Sequence, residues 1–189
     1  MLRIAFTPPE PAPDHPRRIA ALLEAGWSYV HVRYPDLFPA EVAAIVEQVP
    51  EDMRRRLVLH SAFGLADALG VGGLHLNRRS PEPPEGWAGR LSRSCHSAEE
   101  ANLTPEGYAY VTLSPVFASI SKPGYGGDTS VRKMRQLIRP GLKVVGLGGV
   151  TPENAAQLAE DGFDGFAMLG ALGWNDDLEI FNQKICFNL

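Results

Sequence analysis

The sequence predicts a single α/β domain over residues 1–189, folded as a (β/α)8 TIM barrel. Short apolar runs, each too short for a helix, recur eight times along the chain. Segments with helical periodicity lie between them, and strands that alternate with helices pair in parallel. An open doubly wound sheet is the alternative fold. Phe6-Thr7-Pro8-Pro9 argues against it, because no Gly-x-Gly-x-x-Gly fingerprint follows the first strand.

The predicted strands are, in chain order, Leu2–Phe6, Tyr29–Val32, Leu57–Leu59, Gly73–Leu76, Leu91–Cys95, Tyr110–Leu113, Lys143–Leu147 and Gly165–Leu169. Apolar residues at three- and four-residue spacing predict helices over Arg17–Ala25 and Ala40–Val49, and a shorter one over Ser61–Leu69. A further helix is predicted from Thr151, as N-cap before Pro152, to Asp161. Pro- and Gly-rich stretches at 7–16, 80–89 and 122–127 predict surface loops, and residues 174–189 a last helix over the barrel base.

Composition and charge narrow the function classes. Hydrophobic residues make up 44% of the chain and charged residues 21%, which is typical of a globular protein. The net charge of -4 argues against a nucleic-acid-binding module, and no apolar run approaches the roughly 18 residues of a membrane span. We expect a cytoplasmic protein that acts on small molecules. The sequence leaves the oligomeric state open, with a homo-oligomer as one alternative.

Polar residues cluster where the predicted strands end, which is where barrels carry their active sites. His31 and Arg33 end the second strand, His60 the third, and His75 the fourth. Ser94 and His96 share one face of the fifth strand and beyond, because residues two apart point the same way. Together these side chains favour a shared pocket over isolated structural histidines.

A transition-metal site is the rival interpretation of the histidines. Such sites usually combine histidines with carboxylates or cysteines at short spacing. No Asp or Glu stands at a strand end beside these histidines, no His-x-His occurs, and Cys95 and Cys186 lie far apart. The sequence therefore predicts no metal ligand among them.

Two glycine-rich loops predict a phosphate site. The seventh strand ends in Gly148 and Gly149, directly before a predicted helix start, and the eighth ends in Leu169 and Gly170. Barrels bind phosphate in these two loops through backbone N–H groups and a helix N-terminus. The loop after the sixth strand adds three serines and Lys122, a residue that could neutralise a phosphate or carboxylate.

The combination resembles a known family. Segments 113–123, 145–154 and 165–172, with Gly73-Leu74-His75-Leu76 and Ser94-Cys95-His96-Ser97, resemble the thiamine phosphate synthase/TenI family in family order. The resemblance implies a barrel enzyme of thiamine biosynthesis that acts on a thiazole phosphate. Synthases join it to a pyrimidine diphosphate and release magnesium-bound pyrophosphate. TenI-type members isomerise the thiazole phosphate carboxylate by proton transfer.

The resemblance also implies roles for single residues. Gly149, Leu169 and Gly170 match the phosphate cradle, Ser94 a pyrimidine contact, and Arg33 the arginine of a Gln-x-Arg-x-Lys motif. A remaining group matches the loop beside the phosphate: Ser119, Ile120, Ser121 and Lys122. The chain departs from the family at the Gln and Lys of that motif, which are His31 and Pro35. It also departs at an Asn-Asp pair, which is His60-Ser61, and at an acidic residue that aligns with Ser80.

Since both magnesium carboxylates are missing, the resemblance lies closest to TenI-like members. The first hypothesis is a thiazole tautomerase with His96 as general acid and base, without a required cofactor. The alternative is a thiamine phosphate synthase that uses Mg²⁺ or carries the pyrophosphate on Arg33, Arg78, Arg79 and Lys122. A non-catalytic sensor or carrier of thiamine phosphates is the third.

Overall fold

The computed structural model describes residues 1–118 and 130–187. Eight strands form one closed barrel in chain order, and every neighbouring pair is parallel, including β1 with β8. The strands are β1 (Leu2–Phe6), β2 (Tyr29–Val32), β3 (Leu57–Leu59), β4 (Gly73–Leu76), β5 (Arg90–Cys95), β6 (Tyr110–Leu113), β7 (Val144–Leu147) and β8 (Gly165–Met168). The (β/α)8 barrel predicted from the sequence is confirmed, with strand ends within one residue of the prediction.

The helices surround this barrel. They are α1 (His15–Glu24), α2 (Pro39–Val46), α3 (Glu51–Arg54), α4 (Ala98–Asn102), α5 (Ser130–Lys133), α6 (Ala155–Glu160) and α7 (Leu178–Ile185). No helix in the described ranges is long and apolar enough to cross a membrane. The predicted last helix is α7, whose end is held at the barrel base, where the Trp27 indole N–H donates to the Ile185 carbonyl at 3.0 Å.

Three helix predictions were wrong in detail. The helix predicted over 40–49 ends at Val46, and α3 begins after Pro50, a residue that cannot continue a helix. Residues 61–69 contain only a 3₁₀ turn, Phe63–Leu65, which follows Ala62 at φ +55°. The predicted N-cap, Thr151, instead lies in a turn, and α6 begins at Ala155.

Alternation along the strands separates two cores. Outward-facing side chains such as Val30, Leu74 and Phe166 pack in the large layer between strands and helices. The barrel interior holds a small apolar cluster: Ile4, Phe6, Tyr110, Val145 and Ala167. The same interior also encloses polar side chains, since His31, His75, Ser92 and Thr112 are all buried. This polar layer lies under the C-terminal mouth of the barrel.

Candidate active site

A cavity of about 610 Å³ opens at the C-terminal ends of the strands. The predicted site residues that line it are Arg33, His60, Ser94, His96, Gly148, Gly149, Leu169 and Gly170, and Arg78 and Arg79 line it as well. His31 does not line the cavity. It is fully buried beneath the wall and contacts His60, so any effect of His31 on a substrate passes through that neighbour.

Glycines form one wall of the cavity. Gly148 and Gly149 follow β7 with φ +95° and +67°, values that favour glycine. A Cβ on Gly149 would collide with the Ala118 carbonyl and lie 2.8 Å from the Phe117 carbonyl carbon. The loop after β6 therefore packs directly on the Gly149 backbone. Ser119, Ile120, Ser121 and Lys122, the predicted continuation of this loop at the phosphate, lie outside the described residues.

Asn154 fixes the shape of the glycine loop, a role that the sequence analysis missed. Its side-chain amide donates to the Gly149 carbonyl at 2.9 Å, and its side-chain oxygen accepts from the Thr151 amide at 2.8 Å. Both hydrogen bonds lie within one turn, residues 149–154. The Thr-Pro-Glu-Asn motif was the signal for this turn, although the sequence analysis took it for a helix cap.

Arginines line the part of the cavity next to β2 and β4, which we call the arginine wall. Arg33 follows β2, and Arg78 and Arg79 follow β4, whereas the glycine loops follow β7 and β8. In the ring of eight strands β4 lies opposite β8, so Arg78 and Arg79 follow the strand across the barrel from the Gly170 loop, and β2, which precedes Arg33, lies two strands from β8. Asn77 orders the arginine loop, because its side-chain oxygen accepts from the Arg79 amide at 2.9 Å while its amide donates to the His60 carbonyl at 3.1 Å. Glycine loops and arginine side chains therefore line the same cavity, on loops that follow different strands.

Three histidines meet beneath the cavity, where His60 lines it and His31 and His75 are fully buried. His31 Nδ1 and His60 Nε2 are 2.8 Å apart, and His31 Nε2 lies 2.6 Å from the Tyr110 hydroxyl. His75 joins Ser92 Oγ through Nδ1 and Ser94 Oγ through Nε2, both at 2.9 Å. The His60 and His75 rings stack with centroids 4.4 Å apart.

These histidines are held in the neutral form. Burial, and then the neighbouring His75, lowers the pKa of His31 well below its usual value. Burial also lowers the pKa of His60, with contributions from His75, His31 and Arg33. Burial and then Arg33 lower the pKa of His75 to about 3. At neutral pH each ring therefore presents one N–H and one lone pair.

His96 differs from this cluster because it is exposed at the cavity rim. Its Nδ1 lies 3.0 Å from the Ser114 carbonyl oxygen. A carbonyl can only accept, so Nδ1 carries the proton and Nε2 keeps the lone pair in the neutral ring. This tautomer allows Nε2 to act as a base toward a molecule in the cavity.

A family model described as thiamine monophosphate synthase (TMP-TENI) matches residues 4–172. The chain belongs to this family of thiamine biosynthesis enzymes. The bifunctional thiamine biosynthesis protein ThiM/ThiE of Symbiobacterium thermophilum is 31% identical over 172 residues, which cover 83% of this chain and 35% of that protein. A thiamine-phosphate synthase of Listeria monocytogenes is 25% identical over 146 residues, covering 72% of this chain and 68% of that one.

The solved structures agree with this family. A thiamine phosphate pyrophosphorylase from Bacteroides thetaiotaomicron has a TM-score of 0.81 and 29% identity, covering 98% of this chain and 94% of that chain. One from Pyrococcus furiosus, at 20% identity and a TM-score of 0.74 over 97% and 93% of the two chains, supports the fold alone. The predicted family is confirmed.

The magnesium site implied by the thiamine monophosphate synthase family does not fit the residues of this cavity. Magnesium prefers oxygen ligands, usually carboxylates with substrate phosphates. Ser61 and Ser80, which align with the acidic positions, both line the cavity, and among its described lining residues there is no Asp or Glu. Neutral hydroxyls stand at those two positions, and the charged side chains that line the cavity near them, Arg33, Arg78 and Arg79, are cationic.

Proposed function

We propose that the protein is a thiamine phosphate synthase that joins a pyrimidine diphosphate to a thiazole phosphate. The observation that carries the proposal is that one cavity is lined both by glycine loops, after β7 and β8, and by three arginines, after β2 and β4. A synthase must hold two phosphorylated substrates at once. A tautomerase needs a single phosphate site. The names of the relatives agree with this choice over the tautomerase that the sequence analysis put first.

On this proposal the two substrates bind at different parts of the cavity. Backbone N–H groups in a glycine loop bind a monophosphate without the help of a cationic side chain, so the thiazole phosphate lies at Gly148, Gly149 and Gly170. The diphosphate lies at the arginine wall, where guanidinium groups bind phosphate oxygens in bidentate fashion. Ser94 and His60 lie between these walls on the cavity floor, where they contact the reacting rings.

The arginines also serve the chemistry. In the reaction the bond between the pyrimidine carbon and the diphosphate oxygen breaks, and its electron pair leaves with the diphosphate. A new bond forms between that carbon and the thiazole. Negative charge grows on the departing oxygen, and cationic donors placed there in advance stabilise the transition state more than the ground state. Arg33, Arg78 and Arg79 supply those donors without a carboxylate-bound Mg²⁺.

A reconstituted reaction tests the proposal. Purified protein is mixed with the pyrimidine diphosphate and the thiazole phosphate carboxylate, whose carboxyl group leaves as CO₂ on coupling, with and without Mg²⁺. Thiamine phosphate and pyrophosphate are measured by chromatography. We expect both products in equal amounts. If neither forms while the thiazole isomers interconvert, the protein is a tautomerase. If no turnover accompanies tight binding, it is a sensor or carrier, and the synthase proposal fails in both cases.

One observation favours the tautomerase as the second candidate. His96 has its Nδ1 proton fixed by the Ser114 carbonyl and its Nε2 lone pair at the cavity, the arrangement that a general base requires. On this hypothesis, His96→Ala lowers the isomerisation rate by about 10²-fold or more while the fold stays intact. Near-normal isomerisation by that variant removes His96 from the mechanism.

A further inference from the structure

Three imidazoles that are distant in the sequence meet beneath the cavity. One ring nitrogen from each of His31, His60 and His75 lies within 4.8 Å of the other two. We propose that these three histidines bind one transition-metal ion of the zinc class, with a fourth coordination position that opens toward the cavity. This proposal departs from the sequence prediction, which searched for ligands at short spacing and found none.

Hydrogen bonds orient two of the rings as metal ligands. The Tyr110 hydroxyl contacts Nε2 of His31, and Ser92 Oγ contacts Nδ1 of His75. Ser92 Oγ also lies 3.3 Å from the Leu74 carbonyl, to which only the hydroxyl can donate. Nδ1 of His75 therefore donates to Ser92. Partners on the outer nitrogen are the usual means by which a protein fixes the tautomer and direction of a histidine ligand.

The remaining nitrogens each take part in one hydrogen bond that a metal ion would replace. His31 Nδ1 and His60 Nε2 share a proton at 2.8 Å, and His75 Nε2 accepts from Ser94 Oγ at 2.9 Å. Transfer of the shared proton to His60 Nδ1 and rotation of the Ser94 hydroxyl free three lone pairs for the metal ion. Neutral nitrogen ligands suit Zn²⁺, Co²⁺ or Cu²⁺ and bind Mg²⁺ poorly.

Metal binding requires a small rearrangement. Two nitrogens on a tetrahedral zinc ion lie about 3.3 Å apart, whereas His31 Nδ1 and His60 Nε2 are 2.8 Å apart and share a proton. The His60 ring must turn away from its stack on His75, where the ring planes meet at 27°. His60 is free to turn because it is partly exposed at the cavity wall.

Three neutral ligands leave the charge of the ion uncompensated. Arg33 lines the same cavity as His60, and it adds positive charge beside the site. The open position therefore selects an anionic ligand. If the proposed synthase function holds, that ligand is a diphosphate oxygen of the substrate. The metal site itself does not depend on that reaction.

Titration of the chelator-treated full chain tests the proposal without any substrate. Zn²⁺ binding is followed by calorimetry, and Co²⁺ binding by the visible absorption of a four-coordinate ion. We expect one equivalent of either ion, no comparable binding of Mg²⁺, and an affinity at least 100-fold lower in His60→Gln. Tyr110→Phe, which removes only an outer partner, is expected to weaken binding about 10-fold.

His96→Gln is the matched control, because His96 is an exposed cavity histidine outside the cluster. It is expected to bind as the wild type does. Circular dichroism checks that each variant is folded. The proposal is overturned if no stoichiometric binding occurs, or if folded His60→Gln binds as tightly as the wild type. Failure of thiamine phosphate synthesis would leave this result unaffected, so the two proposals are distinguishable.

Discussion

Gly149 is required for two reasons that replacement by alanine tests together, its backbone conformation and its close contact with the loop after β6. At φ +67° the left-handed conformation costs a residue with a Cβ roughly 1–2 kcal/mol. The added methyl also collides with the loop after β6, at Ala118 and Phe117. Overpacking of a tight contact costs about 1–3 kcal/mol. Gly149→Ala is therefore expected to lower the free energy of unfolding by roughly 2–5 kcal/mol.

Gly162→Ala is the matched control in the same βα unit. Gly162 has φ +82°, and a methyl group there would meet no other atom of the described chain within 4 Å. It should lose only the conformational part, about 1–2 kcal/mol. Urea denaturation gives both free energies. In a chain of this length each kcal/mol corresponds to a shift in Tm of about 2–4 °C, so the two variants are resolvable by heating as well.

The functional part of the test is the affinity for thiazole phosphate, measured by calorimetry below the melting temperature of each variant. Movement of the Gly149 backbone displaces the proposed phosphate donors, so we expect weak binding in Gly149→Ala and wild-type affinity in Gly162→Ala. Equal stability of the two variants would show that the steric argument is wrong. Unchanged affinity in Gly149→Ala would remove the glycine loop from the phosphate site.

Three further predictions concern the charged groups. Replacement of both Arg78 and Arg79 by alanine should weaken pyrophosphate binding 10-fold or more, since a hydrogen bond to a charged group contributes about 1.5–3 kcal/mol. Calorimetry measures the affinity, and Arg17→Ala, at an exposed arginine, is the control that should bind as the wild type does. If the double variant binds pyrophosphate as tightly as the wild type, the arginine wall is not the diphosphate site. The pKa of His60 in the folded chain lies below its unfolded value near 6.5, so the unfolded chain takes up the extra proton as the pH falls. Below pH 6.5 each such histidine therefore lowers the free energy of unfolding by about 1.4 kcal/mol per pH unit. His60→Gln should show a shallower loss in urea denaturation between pH 6.5 and 4.5, and an identical slope would contradict the neutral assignment. Arg18 is buried and donates to the Asp14 carboxylate at 2.6 Å and to the Asp176 carbonyl at 2.7 Å. Arg18→Met should therefore lower the free energy of unfolding by roughly 1.5–3 kcal/mol. Arg17→Met, at an exposed position, is the control and should leave it almost unchanged.

The barrel was predictable because its strands are buried on both faces. Such strands appear as short continuous apolar runs, and helical periodicity between them indicates the crossovers. The helix boundaries were less predictable. The turn at Thr151 carries the residues of an N-cap, but Asn154 uses its side chain to bind the glycine loop and so takes part in the site instead. The same local residues therefore form a turn that holds the Gly149 backbone instead of a helix cap at Thr151.

The residues of the cavity were largely predictable for a similar reason, since barrel chemistry lies at strand ends and polar residues at strand ends are rare. Arg33, Ser94 and His96 follow this rule. Asn77 shows its limit. It lies just past the end of β4, and only the folded loop shows that it accepts from the Arg79 amide and donates to the His60 carbonyl.

The histidine cluster shows why side-chain identity alone was insufficient. A period of two determines which face a strand residue occupies, but it leaves open which residue of the next strand lies beside it. In the barrel, Val58 pairs with Gly73 and Leu59 with Leu74, so extension by one residue brings His60 beside His75. Their sequence separation excludes every short metal motif, yet the register makes them neighbours. Metal ligands on adjacent parallel strands are separated by the length of a βα unit, and a search restricted to short spacing misses them.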